Sequence, residues 1–188
     1  NRGMPILYGS NHSTALLYND ELPSVIIPGS GFLNSIGRNN TYTLELWLNI
    51  DSLSPEIHRV FGPIGSTDGV YVDAERFYLK IADNVKSANI AEWGKPMLLH
   101  VIYTPTHVSL LVNSEQIISI QIDSASITLP SKNSSGGKDQ DWIGFYAFSD
   151  VVISLDCISI YPYEVNKILA KRRWVYGQNV EYPENLNT

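Results

Sequence analysis

Three observations in the sequence predict an all-β fold, an antiparallel β-sandwich with one C-terminal helix. Short β-branched and aromatic runs, about ten to thirteen of them, recur between turn-forming breakers without any β–α–β alternation. Tyr42 to Ile50 alternates with period two. Leu44, Leu46, Leu48 and Ile50 are set against Thr43, Glu45, Trp47 and Asn49, the pattern of a strand with one face in the core. Helical periodicity enters only at the end, where Val165, Ile168, Leu169 and Arg172 fall near i, i+3, i+4 and i+7.

Taken in order, Asn1 to Pro28 holds three apolar pieces, Ile6 to Tyr8, Ala15 to Tyr18 and Val25 to Ile27. The last is stopped by Pro28-Gly29, because proline has no N–H for the ladder. Gly29 to Asn40 reads as loop. After the strand Tyr42 to Ile50, Arg59 to Ile64 is a strand and Gly65 to Gly69 a turn. Val70 to Ala74 and Phe77 to Ala82 then alternate across Glu75-Arg76. Val70, Val72, Phe77, Leu79 and Ile81 share the inner face, which sends Tyr71, Asp73, Tyr78 and Lys80 outward together. Asp83 to Glu92 is expected to be a connection.

Met97 to Tyr103, Val108 to Val112 and Ile117 to Ile122 form three strands joined at Thr104-Pro105-Thr106 and Asn113-Ser114-Glu115. Ser124 to Gln140, with Ser134-Ser135-Gly136-Gly137, reads as an exposed loop. Asp141 to Phe148 alternates Trp142, Tyr146 and Phe148 with Ile143, Phe145 and Ala147, so both of its faces are expected to be covered. Val151 to Tyr161 is the last strand. The helix is expected from Tyr163 to Tyr176, with Gly177 ending it. The organisation expected is a sandwich over residues 1–162, with the helix and an extended tail over 163–188.

Composition narrows the class. At 188 residues the chain suits one domain, and 44% hydrophobic with 17% charged residues is too apolar for disorder. A net charge of −6 argues against a nucleic-acid partner, whose phosphates call for a basic face. The single cysteine, Cys157, permits no internal disulfide and no cysteine-based zinc site, and within an apolar strand it reads as a buried thiol. No run reaches the ~18 apolar residues of a membrane span, so no membrane partner is expected. The chain opens at Asn1 without Met or a leader pattern, as an excised domain or processed product would. Sequons at Asn11, Asn39 and Asn133 are about as many as so Asn- and Ser-rich a chain carries by chance.

Three pieces, in order, resemble the concanavalin A-like lectin/glucanase superfamily, in particular its laminin-G-like and pentraxin-like jelly rolls. Tyr42-Thr43-Leu44-Glu45-Leu46-Trp47-Leu48 is similar to that family's early strand. Trp93-Gly94, His100-Val101-Ile102-Tyr103 and Leu110-Leu111-Val112-Asn113-Ser114 are similar to its central hairpin, with Ser114 where the family has Gly. Trp142-Ile143-Gly144 with Leu155-Asp156-Cys157-Ile158-Ser159-Ile160-Tyr161 is similar to its closing strands. A fainter resemblance, carried by the helix and tail from Lys171 to Gln178, is to lectin-like domains of phage tails and other virion surface proteins.

This resemblance implies a recognition role rather than catalysis. The superfamily's hydrolases place carboxylates at E-x-D-x-x-E, and no such motif stands here; Asp156 is alone in the closing strand. His12, His58, His100 and His107 are scattered without zinc spacing, and His100 reads as a packed strand residue. Many relatives bind calcium through loop carboxylates, which makes Asp68, Asp139 and Asp141 the candidate ligands and Ca2+ the candidate cofactor. Sugar binding calls for an exposed aromatic ring with polar groups around it. Tyr71, Asp73, Tyr78 and Lys80 meet that description, with a covered face or a protein contact as the alternatives. Trp142 and Tyr146 are a second candidate, or core residues between the sheets.

The expected function is thus non-catalytic binding of a glycan or cell-surface receptor, within a larger extracellular or virion protein. A structural or assembly domain contacting other subunits is the alternative, and a glycoside hydrolase the remote one. Lys167, Lys171, Arg172 and Arg173 read as a solvated or interdomain face.

Overall fold

The computed structural model describes residues 14–15, 25–28, 41–52, 56–63, 67–90, 94–123, 141–145 and 152–179. They form two six-stranded antiparallel sheets and one helix. The strands are β1 (Thr14–Ala15), β2 (Val25–Pro28), β3 (Tyr42–Ser52), β4 (His58–Pro63), β5 (Gly69–Val72), β6 (Arg76–Ile81), β7 (Asn84–Asn89), β8 (Met97–Tyr103), β9 (His107–Val112), β10 (Glu115–Gln121), β11 (Asp141–Phe145) and β12 (Val152–Tyr161), followed by α1 (Lys167–Asn179). The first sheet runs β1-β12-β3-β8-β9-β10 and the second β2-β11-β4-β5-β6-β7.

The core lies between the sheets because each strand turns its period-two apolar set inward. Leu44, Leu46, Leu48 and Ile50 of β3 join Met97, Leu99 and Val101 of β8 and Val108 and Leu110 of β9. They meet Val70, Val72, Phe77, Leu79 and Ile81 of the second sheet, all buried. Tyr42 and Tyr103 stack inside at 4.3 Å, and burial pushes both phenols up, with the Asp68 charge adding to the effect.

The turns carry the chain through left-handed positions. Asn113 and Ser114, at φ 51° and 70°, close the β9–β10 hairpin, and the Asn113 side-chain oxygen also accepts the Leu98 N–H at 2.9 Å. Ala82, at φ 51°, opens the two-residue turn between β6 and β7, across which Ile81 pairs with Asn84.

Two sequence expectations change. Asp83 to Glu92 is not a plain connection: Asn84–Asn89 is the edge strand β7, in full register with β6 from Arg76↔Asn89 to Ile81↔Asn84. Its side chains are almost all exposed, so no apolar alternation announces it; the backbone ladder and the partly buried Ala88 and Ile90 hold it. The helix likewise starts at Lys167, four residues later than its periodicity suggests, and it runs through Gly177 to Asn179. Asn166 sets the start, its side-chain oxygen accepting the Leu169 N–H at 2.8 Å as an N-cap. Gly177 is needed for a different reason than termination: a Cβ there would fall on the Trp47 indole.

Candidate functional site

The two sheets have outer faces of opposite character. That of the first sheet lies under α1. Ile102 of β8 and Leu111 of β9, which alternate away from the core, pack with Val165, Leu169 and Ala170. Thr43 pins the approach to the helix, donating to the Tyr163 carbonyl at 2.8 Å and accepting the Val165 N–H at 3.0 Å. Glu45, also outward on β3, is buried and accepts from Arg173 at 3.0 Å and from Tyr161 at 3.3 Å, with the His100 ring nitrogen at 2.8 Å. The Arg173 guanidinium covers the Tyr161 ring at 4.5 Å, and Trp174 stacks on Trp47 at 5.5 Å. Burial, then the Glu45 charge, raises the Tyr161 phenol. This network is a fastening for the helix, and His100 is the packed strand residue its position suggests.

The outer face of the second sheet carries the sequence-predicted set. Register places Arg59, Tyr71, Tyr78 and Ser87 in one row across β4, β5, β6 and β7. Both tyrosines are half-buried, and their hydroxyls are tied to opposite ends of the hairpin. Tyr71 donates to the Thr67 carbonyl at 2.5 Å, and Tyr78 donates to the Asp73 carboxylate at 2.5 Å. The rings therefore lie along the strands. Arg76 and Asn89 form the next outward pair, and Arg76 reaches Ser87 at 3.4 Å.

Asp73 serves the turn as well as the face, since its other oxygen accepts the N–H groups of Glu75 and Arg76 at 2.8 Å each. Burial alone pushes its carboxyl up. The bonds from Tyr78, Glu75 and Arg76, with the Arg76 charge, outweigh that and hold it below the usual carboxylate range. The same bond, followed by burial, raises the Tyr78 phenol. Lys80 donates to the Ala82 carbonyl at 2.6 Å and to Thr67 Oγ1 at 2.8 Å. Tyr71, Asp73, Tyr78 and Lys80 are thus brought onto one hairpin.

The metal candidates do not converge in what is described. Asp68 is buried and accepts the Ala82 N–H at 2.8 Å, with the Lys80 ammonium 3.9 Å away in the place of a cation. Asp139 lies outside the described residues, and Asp141 is placed only by its backbone, opposite Pro28. Among the described residues no three His, Cys, Asp or Glu side chains gather as a metal site. Of the second aromatic candidate, Trp142 is placed by its backbone in β11 and Tyr146 lies outside the described residues.

Sequence reasoning missed Ser87 and Asn89 because it missed β7. The available signal was the two-residue spacing Ala82-Asp83 after Ile81, followed by Ala88 and Ile90 two apart. It also missed Glu45 as a site of interaction, for which an acid in mid-strand opposite a histidine was the only sign.

This arrangement defines an antiparallel β-sandwich with one face closed by its own helix and another lined by tyrosines and polar groups. No family model matches the chain, and no curated protein matches it by sequence. Solved structures do resemble it. The binding domain of botulinum neurotoxin DC, in complex with rat synaptotagmin II, superposes with a TM-score of 0.56 at 11% identity, covering 80% of this chain and 38% of that one. A botulinum neurotoxin type C structure, described as dependent for cell entry upon two ganglioside molecules, gives 0.54 at 12% identity over 77% of this chain and 37% of the other. The sialidase of Trypanosoma rangeli, with a difluorinated nononic acid, gives 0.55 at 12% identity over 75% and 23%. At such identities the likeness is one of fold. The match spans under two-fifths of each of these chains.

Proposed function

We propose that this chain is a non-catalytic recognition module that binds a glycan, free or on a cell-surface receptor, on the outer face of its second sheet. The observation that carries this reading is the Tyr71–Tyr78 pair, held along the strands by both hydroxyls and edged by Asp73, Arg76, Lys80, Ser87 and Asn89. Rings fixed in this way lose little freedom on stacking against a sugar, and the surrounding amide, hydroxyl and charged groups suit its hydroxyls. The fold likeness to neurotoxin structures described with ganglioside molecules and with rat synaptotagmin II supports it. In this reading the module works outside the cell, as part of a larger extracellular protein.

A glycan array followed by titration of the best binder tests it. The double variant Tyr71→Ala/Tyr78→Ala is expected to bind roughly tenfold or more weakly while folding normally, the loss expected of two stacking rings. Binding of no glycan, or undiminished binding by the double variant, overturns the proposal. Because a sialidase shares the fold, release of reducing ends or sialic acid is assayed alongside, and turnover removes the non-catalytic part.

A further inference from the structure

The helix α1 fastens one side to the first sheet and turns the other to solvent. Leu169, Ala170, Arg173, Trp174 and Gly177 face inward. Ile168, Arg172 and Val175 follow at i, i+4 and i+7 on the opposite side, flanked by Lys171 and Tyr176. Exposure there is high: 78% for Ile168, 48% for Val175 and 63% for Tyr176. Four of the chain's thirteen Lys and Arg residues sit on this helix, which has no acid, although the whole chain carries −6. Lys167 pairs with Glu115 and Arg173 with Glu45; among the described residues Lys171 and Arg172 have no ion-pair partner.

We propose that this stripe docks on an anionic lipid surface. The charge calls for an acidic occupant, and the apolar side chains between the cations call for one that also takes in hydrocarbon. A headgroup layer offers both. Five side chains are far fewer than the roughly twenty to thirty residues a side that a stable protein interface uses, whereas shallow lipid insertion needs only a few apolar groups beside basic ones. No described helix is long and apolar enough to cross a membrane. The proposed contact is peripheral because α1 stays packed on the first sheet through Leu169 and Ala170 and offers only its outer side. The sequence pointed to no membrane partner because no run is long enough to span one, and a surface-docking stripe shows only once the packed side of the helix is known. The stripe lies on the opposite side of the sandwich from Tyr71 and Tyr78. A lipid-docked molecule therefore presents the tyrosine face away from the bilayer, and this inference stands independently of the proposed glycan site.

Co-sedimentation of the whole chain with vesicles tests it, using phosphatidylcholine alone and phosphatidylcholine with phosphatidylserine at about 7:3. Binding to the anionic vesicles only, abolished by about 0.5 M salt, is expected. Lys171→Gln/Arg172→Gln is expected to lower partitioning about twenty-five-fold, at about five-fold per cation, and Ile168→Ser/Val175→Ser roughly tenfold. In both variants the Trp47–Trp174 fluorescence should be unchanged, showing that the helix stays docked. Absence of binding to anionic vesicles, or binding by either variant undiminished from that of the unsubstituted chain, overturns the proposal. So does a self-association that these substitutions abolish, since the occupant would then be a second copy.

Discussion

The two outer faces of this sandwich are built from the same strand chemistry and end in opposite states. On the first sheet, Thr43, Glu45, Trp47 and His100 point away from the core and are nonetheless largely withdrawn from water, because α1 and the segment before it lie over them. On the second sheet, the corresponding outward residues bond within the hairpins, Tyr71 to Thr67, Tyr78 to Asp73 and Arg76 to Ser87, and keep a surface to solvent. Outward position in a strand therefore does not mean available surface. What decides is whether another element's polar groups converge on that face.

The comparison breaks most visibly at Glu45. Replacing it with alanine removes the acceptor shared by His100, Arg173 and Tyr161 and is expected to cost about 2–4 kcal/mol in urea denaturation, with loss of the Trp47–Trp174 contact. Asp73→Ala, on the other face, removes a turn acceptor that water can partly replace and should cost about 1 kcal/mol. Equal costs would mean that the faces do not differ as described.

A substitution of reversed sign sharpens it further. Glycine to alanine inside a helix ordinarily stabilises by up to about 1 kcal/mol. At Gly177 the added methyl meets Trp47, so Gly177→Ala is expected to destabilise by about 1–3 kcal/mol and to shift the tryptophan fluorescence. A gain in stability there would show that the helix is loosely held.

The smallest effect is one of titration. The Asp73 carboxyl is held below its ordinary value, so its contribution to stability is present above the unfolded pKa and is lost as pH falls through the folded one. Tyr78→Phe removes the hydroxyl bond that helps depress it. The carboxyl should titrate at higher pH by NMR, with less stability left to lose on acidification. No movement of the Asp73 titration would show that the turn N–H groups alone set it.

Much of the fold was legible because burial leaves a periodic mark. Leu44 to Ile50, Val70 to Ile81 and the strands from Met97 to Ile122 all carry it, and all lie against the core. β7 left little beyond Ala88 and Ile90 two apart, since an edge strand exposed on nearly every side chain is held by backbone hydrogen bonds that any sequence can make. The candidate site was legible in part for the same reason. Tyr71, Asp73, Tyr78 and Lys80 were found by alternation on two strands, whereas Arg76, Ser87 and Asn89 required the neighbouring strand to be known.

By itself, then, the sequence determined the class of fold, the inward face of each strong strand and the outward company of Tyr71 and Tyr78. These follow from local alternation and from the cost of exposing apolar surface. Only the tertiary structure decided which outward face is closed and which is open. That depends on Glu45 meeting Arg173 across 128 positions and on Trp47 meeting Trp174, contacts with no local signature. It also decided what Gly177 is for: the glycine that looked like the end of the helix is where the helix backbone lies against the Trp47 indole.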